Sequence, residues 1–178
     1  AIMYDEAHSV KNLGRISKMP RIAGLPNVAS QRAFDAFMKT RLIMAARGGK
    51  QEGIVFATAT FLTNSIAEMH TYQVFLQPET LKKFGLYEFD SWSASFGESV
   101  TGIELAPDGS GYRMNTRYSR FVNLPELMAI FREVADIRTK RMLNLPTPVI
   151  VGGKPQTMVA KPSAELLEIV AGLVKRAD

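Results

Sequence analysis

The chain begins with an alternation of apolar runs and helical periodicity that predicts an α/β fold. Residues 2–4 are apolar and predict a short strand, and residues 54–60 form a second apolar run that ends in small hydroxyl side chains. Between these runs, apolar residues recur at helical spacing over residues 31–46, after Ser30 as an N-cap and before a stop at Gly48 and Gly49. The strand, helix, strand order predicts two parallel strands joined by a right-handed crossover.

The rest of the chain predicts further helices and a hairpin. Alternating residues on either side of a turn sequence at 107–111 indicate a β-hairpin, and helical spacing, prolines and short apolar runs indicate the other elements. The predicted elements are a helix over 65–76 that ends at Pro78, the hairpin over 100–114, a helix over 127–143, two short strands at 149–151 and 157–160, and an amphipathic helix over 164–175.

Aromatic residues are dense after the helix predicted at 65–76. They are Phe84, Tyr87, Phe89, Trp92 and Phe96. Such a cluster either packs into a core or stacks on the bases of a nucleic acid, and we favour the core. We interpret His70, within the predicted helix, as a packing residue rather than a ligand or a catalyst.

Composition narrows the class of protein. The 178 residues are 46% hydrophobic, which is enough for one core, and the absence of cysteine fits an intracellular protein without disulfides. No apolar stretch is long enough to cross a membrane, and nothing near residue 1 resembles a signal peptide. We therefore expect a cytoplasmic protein without a membrane partner.

The charge of the chain favours a polyanionic partner. The formal net charge is +5, and residues 1–50 carry nine Lys or Arg against three acids. Candidate contacts to a DNA backbone are Lys11, Arg15 and Lys18, in a stretch rich in Gly and Pro, and Arg113 and Arg117, on or near the predicted hairpin. Each group is either a phosphate contact or an ordinary solvated surface, and the sequence leaves both interpretations open.

Two acidic residues follow the first predicted strand directly. Asp5 and Glu6 would lie at the carboxyl edge of a parallel sheet, where ligands bind in α/β proteins. Because neighbouring positions at a strand end point in opposite directions, Asp5 can face a metal while Glu6 faces a water molecule. This arrangement predicts a nucleotide-hydrolysis site, and the alternative is a solvated acidic turn after an edge strand.

The sequence Asp5-Glu6-Ala7-His8 resembles the DEAH form of the Walker B motif of superfamily 2 helicases. Its extension, Asp-Glu-Ala-His-x-x-Lys-Asn, resembles the Swi/Snf branch of DNA-dependent ATPases. The resemblance implies ATP and Mg²⁺ as cofactors and DNA as a partner. It also implies that Asp5 binds the metal and the nucleotide, and that Glu6 and His8 are catalytic.

A second group of residues extends the resemblance. Thr58-Ala59-Thr60 is similar to motif III of these helicases, which couples hydrolysis to nucleic-acid binding, and the resemblance implies that Thr58 and Thr60 lie at the nucleotide site. Residues 64–69 and 75–76 are similar to the Swi/Snf pattern Asn-Ser-x-x-Glu-Leu followed by Phe-Leu, and residues 138–146 to its Arg-Thr-Lys and Leu-Pro segment. Phe61 stands where that family usually has proline.

The resemblance implies an α/β fold, namely part of a RecA-like (P-loop NTPase) lobe with parallel strands and flanking helices, a β-hairpin insertion and a C-terminal helix. We assign residues 1–80 to the second half of the first lobe, 81–145 to a family-specific insertion, and 146–178 to a connector. The sequence has no Gly-x-x-x-x-Gly-Lys-Ser/Thr motif. We therefore expect a fragment of a larger protein, with its P-loop segment and second lobe elsewhere in the parent chain. Phage or mobile-element proteins that join such a helicase to a DNA methylase are one possible parent.

Two functions of different classes follow from these observations. The first is an ATP-dependent DNA helicase or translocase, whose isolated fragment is inactive because the P-loop is absent. The alternative is a non-catalytic DNA- or protein-binding module that has kept a decayed helicase fold. An uncovered sheet edge and face would also favour a homo-oligomer of the fragment.

Overall fold

A computed structural model describes residues 1–15, 17–18, 30–63, 65–106, 111–144, 146, 150, 152–154 and 156–177. The chain divides into two compact units. The first unit comprises residues 1–102 and 115–135, and the second comprises residues 103–114 and 136–178. The assignment of residues 1–80, 81–145 and 146–178 to three parts of a helicase stays a prediction.

Two parallel strands open the first unit. Strand β1 (Ile2–Tyr4) pairs with strand β2 (Ile54–Phe56), with Met3 opposite Val55. Backbone bonds continue past the strand ends, since the Ala57 amide donates to the Tyr4 carbonyl and the Ala7 amide donates to the Ala57 carbonyl, both at 2.9 Å. The predicted parallel pair is confirmed, although regular pairing ends at residue 56 rather than at residue 60.

Helix α1 (Gln31–Ala46) connects the two strands with the predicted bounds. The Ser30 side chain accepts a hydrogen bond from the Ala33 amide and so satisfies one of the free amides at the helix start. At the other end, Gly48 and Gly49 have φ of 70° and 83°, and the Gly49 amide donates to the Met44 carbonyl at 2.9 Å. Glycine takes this left-handed conformation without a steric cost, so the pair ends the helix.

Helix α2 (Ala67–Leu76) is the centre of the core, because nine of its residues, from Ala67 to Phe75, are buried. Helices α3 (Pro78–Lys83) and α4 (Phe89–Phe96) follow it. The expectation that Pro78 only ends a helix is incomplete, because it also begins α3. Proline lacks an amide hydrogen, and the first position of a helix does not need one.

The aromatic cluster lies in this core, as favoured from the sequence. Phe89, Trp92 and Phe96 are at most 5% exposed, whereas Phe84 is 53% exposed. The indole nitrogen of Trp92 donates to Oε1 of Gln73 at 2.7 Å, so the buried ring keeps a polar partner. The prediction of a packed core is confirmed for the three buried rings.

A β-hairpin follows α4. Strands β3 (Gly97–Leu105) and β4 (Tyr112–Phe121) form a two-stranded sheet, and the hydroxyls of Thr101 and Thr116 meet across it at 2.8 Å. Gly97 lies against the Tyr118 ring, where an added Cβ would approach a ring carbon to 3.0 Å. The predicted hairpin is confirmed and is longer than expected, while most of its predicted turn, 107–110, lies outside the described residues.

The single helix predicted over 127–143 is wrong. Helix α5 (Leu124–Phe131) begins after Asn123, with Pro125 in its first turn, and a separate short helix α6 (Lys140–Leu143) begins after Thr139. The Thr139 side chain accepts from the Met142 amide at 3.4 Å, so a local N-cap starts a new helix. The division into two compact units also falls between these helices, at residues 135 and 136.

The second unit contains α6 and helix α7 (Ala164–Ala177), which extends two residues beyond the predicted helix at 164–175. Residues 157–160 form no strand, contrary to prediction; they are exposed and make no ladder bonds. In the strand predicted at 149–151, residues 149 and 151 lie outside the described part. None of the described helices combines the length and the apolar character needed to span a lipid bilayer.

Candidate functional site

The carboxyl ends of β1 and β2 bring together two segments that are more than fifty residues apart in sequence. Because the strands are parallel and in register, Asp5 and Glu6 follow β1 at the same edge at which Thr58 and Thr60 follow β2. Ligands of open α/β sheets bind at this edge. The structure thus brings five of the predicted site residues, Asp5, Glu6, His8, Thr58 and Thr60, into one region.

The two carboxylates lie on a sharp turn. Glu6 has φ 52° and ψ 49°, in the left-handed region that side-chain-bearing residues rarely adopt, and its amide donates to Oδ1 of Asp5 at 2.9 Å. Both residues are exposed. The chain changes direction at Glu6, and a short helical turn (Ala7–Val10) begins immediately afterwards. His8, in this turn, therefore lies beside the strand ends.

His8 connects the acidic turn to the threonines. Its Nδ1 atom lies 3.1 Å from Oε2 of Glu6, 3.2 Å from Oγ1 of Thr58 and 3.0 Å from Oγ1 of Thr60. The Thr60 amide also donates to the Thr58 hydroxyl at 3.1 Å. A carboxylate can only accept, so Nδ1 must carry a proton to bond Glu6. When Nδ1 carries no proton, it can instead accept a hydrogen bond from a threonine hydroxyl. The three contacts therefore compete for one atom.

A family model described as a probable helicase domain matches residues 1–139. The chain belongs to this helicase domain family. The match covers both strands, the acidic turn and the threonines, and it confirms the helicase relation inferred from the motifs. Comparisons with curated proteins and with solved structures gave no significant match.

In this helicase domain, a buried ion pair links Lys11, which follows the short helical turn Ala7–Val10, to helix α2. Nζ of Lys11 lies 2.9 Å from Oε1 of Glu68, with side-chain exposures of 13% and 7%, and it also bonds the Thr63 hydroxyl. The Thr63 amide donates to Oε2 of Glu68 at 2.7 Å. Lys11 and Glu68 belong to two different motifs of the Swi/Snf resemblance, and sequence reasoning did not pair them.

Arg15 is held by the same helix of the helicase domain. Its Nη2 atom donates to the Ala67 carbonyl at 2.6 Å and to the Thr71 hydroxyl, and the guanidinium lies over the Phe89 ring at 5.1 Å from the centroid. Burial lowers the pKa of Arg15 to about 10, and the charge of Glu68 acts in the opposite direction. The ammonium of Lys11 and Nη2 of Arg15 thus face the protein, and a DNA phosphate contact through either group would require breaking these bonds.

The other predicted DNA contacts have different surroundings. Lys18 is exposed, and its backbone amide donates to Oδ2 of Asp90 at 2.9 Å. Arg113 is exposed on β4, and Arg117 is partly buried on the same strand. The exposed side chains of Lys18 and Arg113 are therefore accessible to a DNA backbone.

The acidic turn offers few ligands for a metal. In the part of the chain that the structure describes, no three side chains of His, Cys, Asp or Glu converge on a common point. A magnesium ion at a nucleotide site takes most of its ligands from phosphate and water and needs only one or two carboxylates. The exposed Asp5 carboxylate fits that limited role, and a site built from protein side chains alone does not fit.

Proposed function

We propose that this domain is the part of an ATP-dependent DNA helicase or translocase that carries the Walker B motif, Asp5-Glu6-Ala7-His8, and motif III, Thr58-Ala59-Thr60. In this proposal Asp5 contributes a ligand to the magnesium of ATP, and Glu6 orients and deprotonates the attacking water. Thr58 and Thr60 lie at the nucleotide site. His8 changes its hydrogen bonds to these threonines when the bound nucleotide changes from ATP to ADP. Transfer of the γ-phosphoryl group of ATP to that water, with ADP as the leaving group, would drive movement on DNA.

The observation that carries the proposal is the position of His8 between Glu6 and the two threonines. A coupling device requires a residue that contacts the hydrolytic group and a second segment together, and that has more than one stable arrangement. His8 contacts both segments, and two hydrogen-bonding patterns are open to it, because its Nδ1 atom cannot bond the carboxylate and accept from a hydroxyl at the same time. The membership of residues 1–139 in a helicase family supports the same function.

The proposed activity needs a phosphate cradle that these residues do not contain. Gly152-Gly153-Lys154 is followed by Pro155, which has no hydroxyl for magnesium, and no P-loop motif occurs elsewhere in the sequence. We therefore propose that the P-loop comes from a segment outside these residues. We expect the 178-residue chain alone to show no ATP hydrolysis, as measured by phosphate release with and without DNA. DNA-stimulated release that Glu6→Gln abolishes would contradict this expectation.

The role of Glu6 is tested in a chain where these residues follow a P-loop segment. We expect Glu6→Gln to reduce ATP turnover by more than a hundredfold, because an amide cannot accept the proton of the attacking water. Nucleotide binding, measured by fluorescence anisotropy of a labelled ATP analogue, should change little. Unchanged turnover would show that Glu6 is not the catalytic base.

The role of the threonines is tested by separating basal from stimulated turnover. In the same extended chain, we expect Thr60→Val to keep basal hydrolysis within a few-fold and to lose most of the stimulation by DNA, because the variant loses the hydroxyl that contacts His8. Thr101→Val is the matched control, since the Thr101 hydroxyl bonds Thr116 in the hairpin. Equal stimulation in both variants would argue against coupling through Thr60.

The alternative function is a non-catalytic DNA- or protein-binding module. The absence of a P-loop motif from these residues favours it, as does the net charge of +5. This alternative predicts DNA binding that does not respond to ATP and is unaffected by Glu6→Gln, even when a P-loop segment is joined to the chain. Binding measured by anisotropy on labelled DNA, with and without ATP, separates the two functions.

A further inference from the structure

A cavity of about 410 Å³ lies beside helix α2 in the first unit. Its walls are mostly apolar, and four of the lining residues are Phe34, Phe37, Val74 and Phe89. Polar side chains also line it, among them Arg15 and His70. A volume in this range, with apolar walls and a few polar groups, is typical of a site for a small molecule.

The guanidinium of Arg15 has unused hydrogen-bond donors. Nη2 is engaged by Ala67 and Thr71, but the buried Nε and Nη1 atoms have no partner among the described residues. The nearby acid, Glu68, is already bonded to Lys11 and Thr63. A buried cation without its own carboxylate is unfavourable, so the position favours a bound anion.

His70 offers the complementary group. Its Nε2 atom lies 3.0 Å from the Tyr87 carbonyl oxygen, which can only accept, so Nε2 carries the proton. Nδ1 is then an acceptor, and it is buried without a donor in the part of the chain that the structure describes. Burial, with a smaller contribution from the charge of Arg15, lowers the pKa of His70 to about 4, so the ring is neutral at pH 7.

We propose that this cavity binds a small monocarboxylic acid with an apolar body and a hydroxyl group beside the carboxylate. The carboxylate accepts hydrogen bonds from Arg15, the neighbouring donor bonds Nδ1 of His70, and the apolar body packs against Phe34, Phe37 and Phe89. This inference does not depend on the proposed ATPase activity, because none of the lining residues belongs to the acidic turn or to the threonines.

The charges around the cavity favour an anion with a single negative charge. Arg15 is the one cationic side chain among the described lining residues, and Glu88 places a carboxylate at the exposed rim. A phosphate dianion would need a second cation, so a monoanion fits better. A carboxylate with this chemistry can come from a free small acid or from an acidic side chain of a peptide, and the experiment separates the two.

The proposal is tested with three probes of similar shape on the 178-residue chain. 3-Phenyllactate carries the carboxylate and the hydroxyl, 3-phenylpropionate lacks the hydroxyl, and 3-phenyl-1-propanol lacks the carboxylate. Binding is measured by titration calorimetry and by shifts in a two-dimensional NMR spectrum. We expect phenyllactate to bind about fivefold more tightly than phenylpropionate, because one hydrogen bond is added, and the alcohol to bind most weakly.

Variants then assign each contact. His70→Phe should remove the preference for phenyllactate over phenylpropionate, and Arg15→Lys should weaken both acids about tenfold or more. Since these buried positions also support folding, Phe34→Ala serves as a second test, because Phe34 is 55% exposed on α1. Met38→Ala is its matched control: Met38 is 53% exposed on the same helix and is not among the lining residues.

The results show whether the carboxylate comes from a free acid or from a peptide, and they also show whether the proposal is wrong. Weaker acid binding in Phe34→Ala with unchanged binding in Met38→Ala supports it. If a short peptide ending in Phe-Asp binds more tightly than phenyllactate and with the same variant pattern, the site has the proposed chemistry and takes its carboxylate from a protein. If neither acid binds more tightly than the alcohol, or if Met38→Ala and Phe34→Ala weaken binding equally, the proposal is wrong.

Discussion

His8 and His70 are the two histidines of the chain, and their surroundings give them different chemistry. His8 is 37% exposed and contacts a carboxylate and two hydroxyls. His70 is 4% exposed and lies among aromatic rings, 5.5 Å from the centroid of Phe89 and 5.4 Å from that of Trp92. This burial confirms that His70 packs in the core, and the contact proposed for its Nδ1 atom would be an additional role.

The buried neutral state of His70 predicts a pH dependence of stability. Its pKa is about 4 in the folded protein and about 6.5 in the unfolded chain, so between these values only the unfolded state binds the proton. Stability contributed by the neutral ring is therefore full above pH 6.5 and falls as the pH drops towards 4. From pH 7.5 to pH 5 we expect His70 to account for a loss of about 2 kcal/mol in the free energy of unfolding.

The measurement for His70 is urea unfolding at both pH values. The loss should be smaller by that amount in His70→Phe, which has no proton to gain, whatever the stability of the variant at pH 7.5. An equal loss in both proteins would show that other groups control the acid response.

The ion pair between Lys11 and Glu68 predicts strong coupling of two residues. Lys11→Met leaves a carboxylate that is 7% exposed without its cation, and we expect a loss of about 3 kcal/mol in the free energy of unfolding. Lys11→Met combined with Glu68→Leu should recover most of that loss, because neither partner of the ion pair is then left as an unpaired charge. A double-mutant cycle by chemical denaturation measures the coupling, and additive effects of the two substitutions would contradict it.

Helix α1 shows how a local signal fixes an element. Its start follows from Ser30 and its end from two glycines, so both bounds were predictable from residues within a few positions. The break between α5 and α6 was not predictable in the same way. The sequence there contains no glycine or proline, and the helical spacing runs on through it while the chain folds into two units.

The N-cap of α1 predicts a measurable contribution to stability. Ser30→Ala removes the acceptor for the Ala33 amide, and we expect a loss of about 1 kcal/mol in the free energy of unfolding. Ser91→Ala, at an exposed position inside α4, is the control and should change stability by less than half that amount. Thermal or urea unfolding of both variants checks the difference, and equal effects would argue against the cap.

At the scale of the whole molecule, the parallel sheet has one poorly covered face. Met3 and Val55 are opposite each other in register and are 67% and 52% exposed, whereas the two pairs on the other face, Ile2 with Ile54 and Tyr4 with Phe56, are partly buried. In the described part of the chain, each strand also pairs on one side alone. Exposed apolar faces and open strand edges favour association.

This face predicts self-association of the 178-residue chain. We expect light scattering at high concentration to give a mass above that of the monomer, and the double variant Met3→Lys/Val55→Lys to shift it towards the monomer, because two charges then oppose contact between apolar faces. Met38→Lys, on the exposed side of α1, should leave the mass unchanged. A monomer at all concentrations would contradict the prediction.

The candidate site was predictable where it depends on strand order and not where it depends on distant side chains. Two parallel strands must place Asp5 and Thr58 at one edge, so their proximity followed from the pattern alone. The partners of Lys11 and Arg15 lie more than fifty residues away on α2, and no local pattern distinguishes a buried cation from one in solvent. The Swi/Snf resemblance marked Lys11 and Glu68 separately and gave no sign that they touch.

The buried indole of Trp92 is an intrinsic fluorescent probe of unfolding. It is the only tryptophan of the chain and is fully buried in the first unit, with its nitrogen held by Gln73. Its fluorescence will shift to longer wavelength when that core opens to water. Circular dichroism, in contrast, reports on the helices of both units. Comparing unfolding followed by fluorescence with unfolding followed by circular dichroism therefore tests whether the two units unfold in one transition.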